Sequence, residues 1–331
     1  MILDVARHKF YEGFFTLLIM TIAMIGVVAF SGGDATPTPN TPLMTLINSI
    51  TGDIGFVKKI VTVLLYTISV LSLARSAIRT HIYTVDTMAP LALCSVVMFP
   101  LVCVGNSLYQ SIVVFLLALT LGNMFYCFGP RRCLHHLFMT MVAAGTLPLM
   151  DATFAPITLA VCLALILARK RFREAIVTVV GMLLPLFIQC YVLWFMGGEF
   201  ASSIEHMWSD ITTLWTGDIA ERGIYIVEYI SIPHLIFIGC IIFMQSVSST
   251  LYFTEHDVHS TVVRGAWRAM HFILIVAICS TILFSTSLWQ PFTIIAMVAV
   301  MMFPMLFVHY NTLISTIAYI ALIACSVTAL F

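Results

Sequence analysis

The sequence predicts an all-α, polytopic transmembrane helix bundle of about eleven spans, a single integral membrane domain over residues 1–331. Three observations carry that expectation. Hydrophobic residues make up 61% of the chain and charged residues only 9%, whereas soluble domains hold roughly a quarter charged residues. The apolar residues fall in runs of about 20, the length a helix needs to cross a hydrocarbon core at about 1.5 Å per residue. The basic residues collect in alternate breaks between those runs, the asymmetry that orients membrane proteins.

The first run, near 13–30, follows "MILDVARHKFYEG" and resembles a signal peptide in place and length. "AFSGGD" is nevertheless a poor cleavage site and further runs follow, so this is a retained first helix. The later spans fall near 58–74, 88–104, 107–128, 136–150, 153–168, 174–196, 226–246, 269–286, 291–308 and 311–331. With the N-terminus in the cytoplasm, the inner side holds Arg7, Lys9, Arg75, Arg79, Arg131, Arg132, Arg169, Lys170, Arg171, Arg173, Arg264 and Arg268. Lys58, Lys59 and Arg222 remain outside, so twelve of the fifteen basic residues obey the positive-inside rule and the C-terminus falls outside. Flipping the chain, or dropping one middle helix, scrambles this distribution.

Between the fifth and sixth spans the chain reads "PLMDATFAP", with Pro148 and Pro156 flanking a tight outer turn. Asp151 followed by Thr153 has the pattern of a helix N-cap. The same carboxylate also suits an acid facing an outer cavity, because an ionisable group near membrane depth is costly unless something pairs or uses it.

Two outer loops are long enough to matter. The first, 31–55, carries Asp34, Asp53 and a short amphipathic "LMTLINSI". Bundle-type glycosyltransferases that use polyprenyl-linked donors often keep a catalytic acid in such a loop, although Asp34 beside Gly33 equally suits a turn. In the second, 197–225, Ile204, Met207, Trp208, Ile211, Leu214 and Trp215 recur at helical spacing, opposite Glu205, His206, Ser209, Asp210 and Thr213. That pattern predicts an interfacial helix over 203–216 with its tryptophans at headgroup level. The helix roofs the bundle, or it turns Glu205, His206 and Asp210 into a cavity as acids or a base.

Polar groups within spans are few. His234 is a candidate binding or proton-handling residue, with Pro233 expected to kink its helix near Glu228. His256 and His259, three residues apart, read as a solvated inner loop rather than a metal site. The nine cysteines lie mostly inside apolar runs without CxxC spacing and read as small buried hydrophobes. There is no P-loop, GxGxxG or HExxH pattern and no convincing internal repeat, so no cofactor, metal or nucleic acid is implied.

"LPLMDATFAPI", the basic linker after it, and "FREAIVTVVGMLLPLFIQCYVLWF" with Gly181, Pro185 and Trp194 resemble a family of polytopic Bacteroidetes inner-membrane proteins known as a domain of unknown function. The resemblance implies a bacterial cytoplasmic membrane in a lineage rich in envelope glycans, and no site residues. Two functions remain open. One is envelope assembly, with Asp151, Glu205, His206 and Asp210 as catalytic candidates and Asp34, Arg222 and His234 as binding candidates for a polyprenyl-linked glycan. The other is a solute carrier or a non-enzymatic scaffold for other envelope proteins.

Overall fold

The computed structural model describes residues 10–30, 41–51, 55–80, 83, 87–103, 107–129, 134–169, 171–216, 231–254, 261–284, 289–310 and 312–330. Among them every regular element is helical. The α-helices are α1 (Phe10–Phe30), α2 (Pro42–Thr51), α3 (Gly55–Arg79), α4 (Ala89–Cys103), α5 (Ser107–Cys127), α6 (Leu134–Met150), α7 (Ala155–Arg169), α8 (Phe172–Phe195), α9 (Ser202–Thr216), α10 (Ile232–Thr254), α11 (Thr261–Phe284), α12 (Trp289–His309) and α13 (Thr312–Thr328). A 3-10 turn, Ala152–Phe154, joins α6 to α7.

Among the described residues seven helices are long and apolar enough to cross a membrane: α1, α3, α5, α8, α10, α11 and α12. Four more, α4, α6, α7 and α13, are apolar but shorter, at 15–17 residues. Several helices differ at their ends from the apolar runs: α3 covers 55–79 rather than 58–74, and α11 starts at Thr261 rather than 269. Hydropathy marks only the apolar middle, whereas backbone hydrogen bonding carries a helix on through Arg75, Arg79, Arg264 and Arg268. α10 begins at Ile232, which puts Pro233 in the first turn. No intrahelical partner is required of a first-turn N–H, so Pro233 starts α10 instead of kinking it, contrary to the sequence expectation.

Two helices form the centre. Every residue of α4 from Ala89 to Val102 is buried, as is 292–307 of α12, and the two pack on each other. Around them α1, α3, α8, α10 and α13 turn large apolar side chains outward, including Phe15, Ile22, Phe187, Phe243 and Ile317. A surface of this kind is stable only against lipid or further protein. Prolines inside α4, α6, α8 and α12 (Pro100, Pro148, Pro185, Pro304) are tolerated because neighbouring helices and side chains take up the backbone groups they free.

Small residues allow the closest crossings. A β-carbon at Gly181 of α8 would lie 3.1 Å from the Phe138 carbonyl of α6, and one at Gly122 of α5 would lie 2.7 Å from Ser76 Oγ of α3. The buried residues of α8 form one stripe, Glu174, Thr178, Gly181, Pro185, Gln189 and Cys190. α6 and α7 pack on α8, with α9 touching it as well, while Ile176, Val180, Leu183 and Phe187 are exposed.

Candidate functional site

α6 closes on Asp151, whose N–H donates to the Leu147 carbonyl at 3.1 Å. The backbone there turns extended, at φ −159 and ψ 130, and leaves the helix. Asp151 Oδ1 accepts from the Thr153 amide at 2.8 Å and from the Thr153 hydroxyl at 2.7 Å. This is an N-cap that satisfies an otherwise orphaned amide. Thr158 of α7 donates back to the Ala144 carbonyl at 2.8 Å and closes the hairpin.

The cap uses one carboxylate oxygen. The other, Oδ2, lies 3.5 Å from the Tyr109 hydroxyl at the start of α5, and Gln290 of α12 donates to that same hydroxyl at 3.4 Å. Ser280 of α11 donates to the Thr153 carbonyl at 3.5 Å. One turn deeper, Gln110 of α5 donates to Thr293 of α12 at 2.6 Å. Burial pushes the Asp151 carboxyl above the usual carboxylate range, against the lowering effect of hydrogen bonds from Thr153, Gln290 and Tyr109.

His234, near the start of α10, extends the same end of the bundle. Its Nδ1 is hydrogen-bonded to the Ser231 hydroxyl, and its ring meets Trp289 edge to face with centroids 5.1 Å apart. Three buried polar atoms here have no partner: His234 Nε2, Trp289 Nε1 and Gln290 Oε1. Buried groups left unpaired cost about 1–3 kcal/mol each, so such a set is either hydrated or held for a ligand.

α9 packs against the 3-10 turn, α8 and α11, with Ser203 buried and Met207 and Ile211 half-buried on the inner face. Glu205, His206 and Asp210 are exposed, and none of them has a hydrogen bond or ion pair to Asp151 among the described residues. The helix expected over 203–216 is thus present as Ser202–Thr216. Its polar candidates look away from the bundle, because the strip it lays down is narrow enough to leave Ile204 and Trp208 exposed as well. Asp34, Asp53, Arg222, Glu228, His256 and His259 lie outside the described residues.

The structure therefore joins the Asp151 turn to side chains that sequence reasoning passed over, Tyr109, Gln290 and Ser280, with the Gln110–Thr293 pair and Trp289 on the same helices α5 and α12. A signal was present. Tyr109, Gln110, Trp289 and Gln290 stand in the first turns of spans that begin on the same side as the Asp151 turn. Comparison with protein-family models, curated proteins and solved structures gives no match. The fold itself defines the class, a multi-pass helical membrane protein.

Proposed function

We propose that the chain crosses a bacterial cytoplasmic membrane eleven times, with the N-terminus inside and the C-terminus outside, and that it handles the polar head of a polyprenyl-linked glycan at its outer end. Counting the four shorter apolar helices with the seven longer ones supports the span number, and the distribution of basic residues supports the orientation. The single observation that carries the functional reading is the division of labour at Asp151, with Oδ1 engaged in the cap and Oδ2 turned to Tyr109.

On this reading Oδ2 accepts the proton of an acceptor-sugar hydroxyl as that oxygen attacks the anomeric carbon, and the polyprenyl diphosphate departs. A carboxyl made more basic by burial suits the task. The Trp289 ring offers an apolar face to a sugar, while Gln290 Oε1 and His234 Nε2 supply hydrogen-bonding positions. The exposed Ile232, Leu235 and Ile236 of α10 leave this end open towards lipid, as a lipid-linked substrate requires.

The test is to delete the gene and restore it as wild type or Asp151→Asn, then measure lipid-linked glycan intermediates. Accumulation in both the deletion and the Asn strain, with the Asn protein present at the wild-type level, supports the reading. Full complementation by Asp151→Asn reduces the residue to a cap and leaves a carrier or a scaffold for other envelope proteins as the better description.

A further inference from the structure

A second polar cluster lies deeper, where α10, α11 and α12 meet. α10 and α11 each pack on α12 but touch one another chiefly through side chains. Across that seam Gln245 Nε2 donates to Ser249 Oγ at 3.0 Å, and Ser249 Oγ lies 3.3 Å from His271 Nε2. His271 Nδ1 lies 2.8 Å from the Trp267 carbonyl. A carbonyl only accepts, so Nδ1 carries hydrogen. In the neutral ring Nε2 is then an acceptor, and the chain runs one way: Gln245 amide to Ser249 hydroxyl to imidazole to backbone carbonyl. Gln245 also donates to Met302 Sδ of α12 at 2.7 Å.

Three atoms around this chain are buried without a partner: Gln245 Oε1, Ser248 Oγ and Trp267 Nε1. Their residues are nearly inaccessible, at 5%, 0% and 1% exposure. Gln245, Ser248 and Tyr252 share one face of α10, and Tyr252 stacks on Trp267 at 5.2 Å and on His271 at 5.4 Å. The orphan atoms thus occupy adjacent turns beside the imidazole. Two of them are side-chain oxygens that accept hydrogen bonds, and the indole N–H donates. Bound water meets both demands, since a buried water typically makes about three hydrogen bonds.

We propose that His271 is a proton-binding site within the membrane interior, served by water held among Gln245, Ser248, Ser249 and Trp267. When a proton arrives at Nε2, that nitrogen becomes a donor to Ser249 Oγ. The Ser249 hydroxyl hydrogen then turns to another acceptor, for which Gln245 Oε1 or the bound water stands ready. No bond other than the N–H forms, and the proton leaves by the reverse route. Tyr252, which donates to the Arg264 carbonyl at 3.5 Å, links the site to the end of the bundle that carries Arg264 and Arg268.

Among the described residues no carboxylate pairs with the imidazole. Tyr252 is the titratable group stacked on it from α10, and Arg264 and Arg268 share its helix. The remaining elements packed on α11 are α7, α9 and α12. Their titratable groups with described side chains are Cys162 on α7, Glu205, His206 and Asp210 on α9, and His309 on α12; Cys162, Glu205, His206 and Asp210 make no hydrogen bond or ion pair with His271 among the described residues.

Trp267 reports the event, because its ring lies 6.5 Å from the His271 ring and a protonated imidazole quenches indole emission. The experiment uses the full chain in nanodiscs, with Trp194, Trp208, Trp215 and Trp289 replaced by Phe, and reads tryptophan emission across pH 5 to 8. The expected result is a reversible titration that His271→Gln abolishes and whose midpoint Ser249→Ala shifts. Flat emission from the Trp267-only protein overturns the proposal, as does a titration that persists in His271→Gln. If His271→Gln does not elute as a folded species, Ser249→Ala decides: an unchanged midpoint overturns the proposal.

Discussion

Gly145 of α6 sits directly against the Met182 carbonyl of α8: a β-carbon at Gly145 would lie 2.3 Å from that oxygen. The neighbour is backbone in the middle of a helix and cannot swing aside. Gly145→Ala is therefore expected to push α6 and α8 apart and to cost about 1–3 kcal/mol, the usual cost of overpacking. Thermal unfolding in detergent measures it. Gly239→Ala, where no atom lies within 4 Å, is the control and should be neutral or slightly stabilising, since Ala is the better helix former.

Asp151 separates capping from charge. Asp151→Ala removes the acceptor for the Thr153 amide and should cost about 1 kcal/mol. Asp151→Asn keeps an acceptor, so it should not be less stable than wild type and should match it where the acid is protonated. The sign of the pH effect follows from burial, which raises the folded-state pKa of this acid above its unfolded value. The folded protein then binds more protons than the unfolded chain as pH rises past about 4, so wild-type stability falls through that window. The stability advantage of Asp151→Asn over wild type should grow with pH there and vanish below it; a difference independent of pH contradicts the assignment.

Two tyrosines with different hydrogen-bond lengths should respond differently to loss of the hydroxyl. Tyr66 is fully buried and donates to the Ser95 carbonyl at 2.8 Å, so Tyr66→Phe should lower stability by about 1 kcal/mol. The Tyr109 hydroxyl meets Asp151 at 3.5 Å and Gln290 at 3.4 Å, and bonds of that length contribute little. Tyr109→Phe is expected to leave stability unchanged while reducing complementation of the deletion strain. Equal losses of stability in the two variants are inconsistent with this geometry.

The proposed orientation is checked by reporter fusions after Phe128 and after Phe331. The first should read inside and the second outside. An outside signal at Phe128, or an inside signal at Phe331, overturns the eleven-span, N-inside topology.

Class and local pattern were legible in the sequence because they depend on neighbours along the chain. The period of apolar residues placed a helix at 203–216, within one residue of Ser202–Thr216, and Asp151 two residues before Thr153 announced a cap. What was not legible depends on which helices meet. Tyr109 and Gln290 are 181 positions apart, and nothing in their local sequence tells that α5 and α12 start side by side. The face of α9 that meets the bundle was hidden for the same reason. An amphipathic pattern shows that a helix has two sides, but the narrow strip through Ser203, Met207 and Ile211 is chosen by the surface beneath. Helix ends were blurred because charged residues stop a hydropathy run without stopping a helix.

The enclosure of α4 bears on how the chain is made. At 15 residues it is about 22 Å long, well short of a hydrocarbon core of about 30 Å. Its walls are α1, α3, α5, α12 and α13. The last two begin only at Trp289 and Thr312, more than half the chain after α4 ends at Cys103, so at typical synthesis speeds of about 5–20 residues per second α4 waits roughly 10–40 s for α12 to emerge. During that interval it depends on α1, α3 and α5 to keep it in place. A polypeptide stopped ahead of α12 presents a short, half-covered helix to the bilayer, the kind of segment that membrane quality-control proteases recognise.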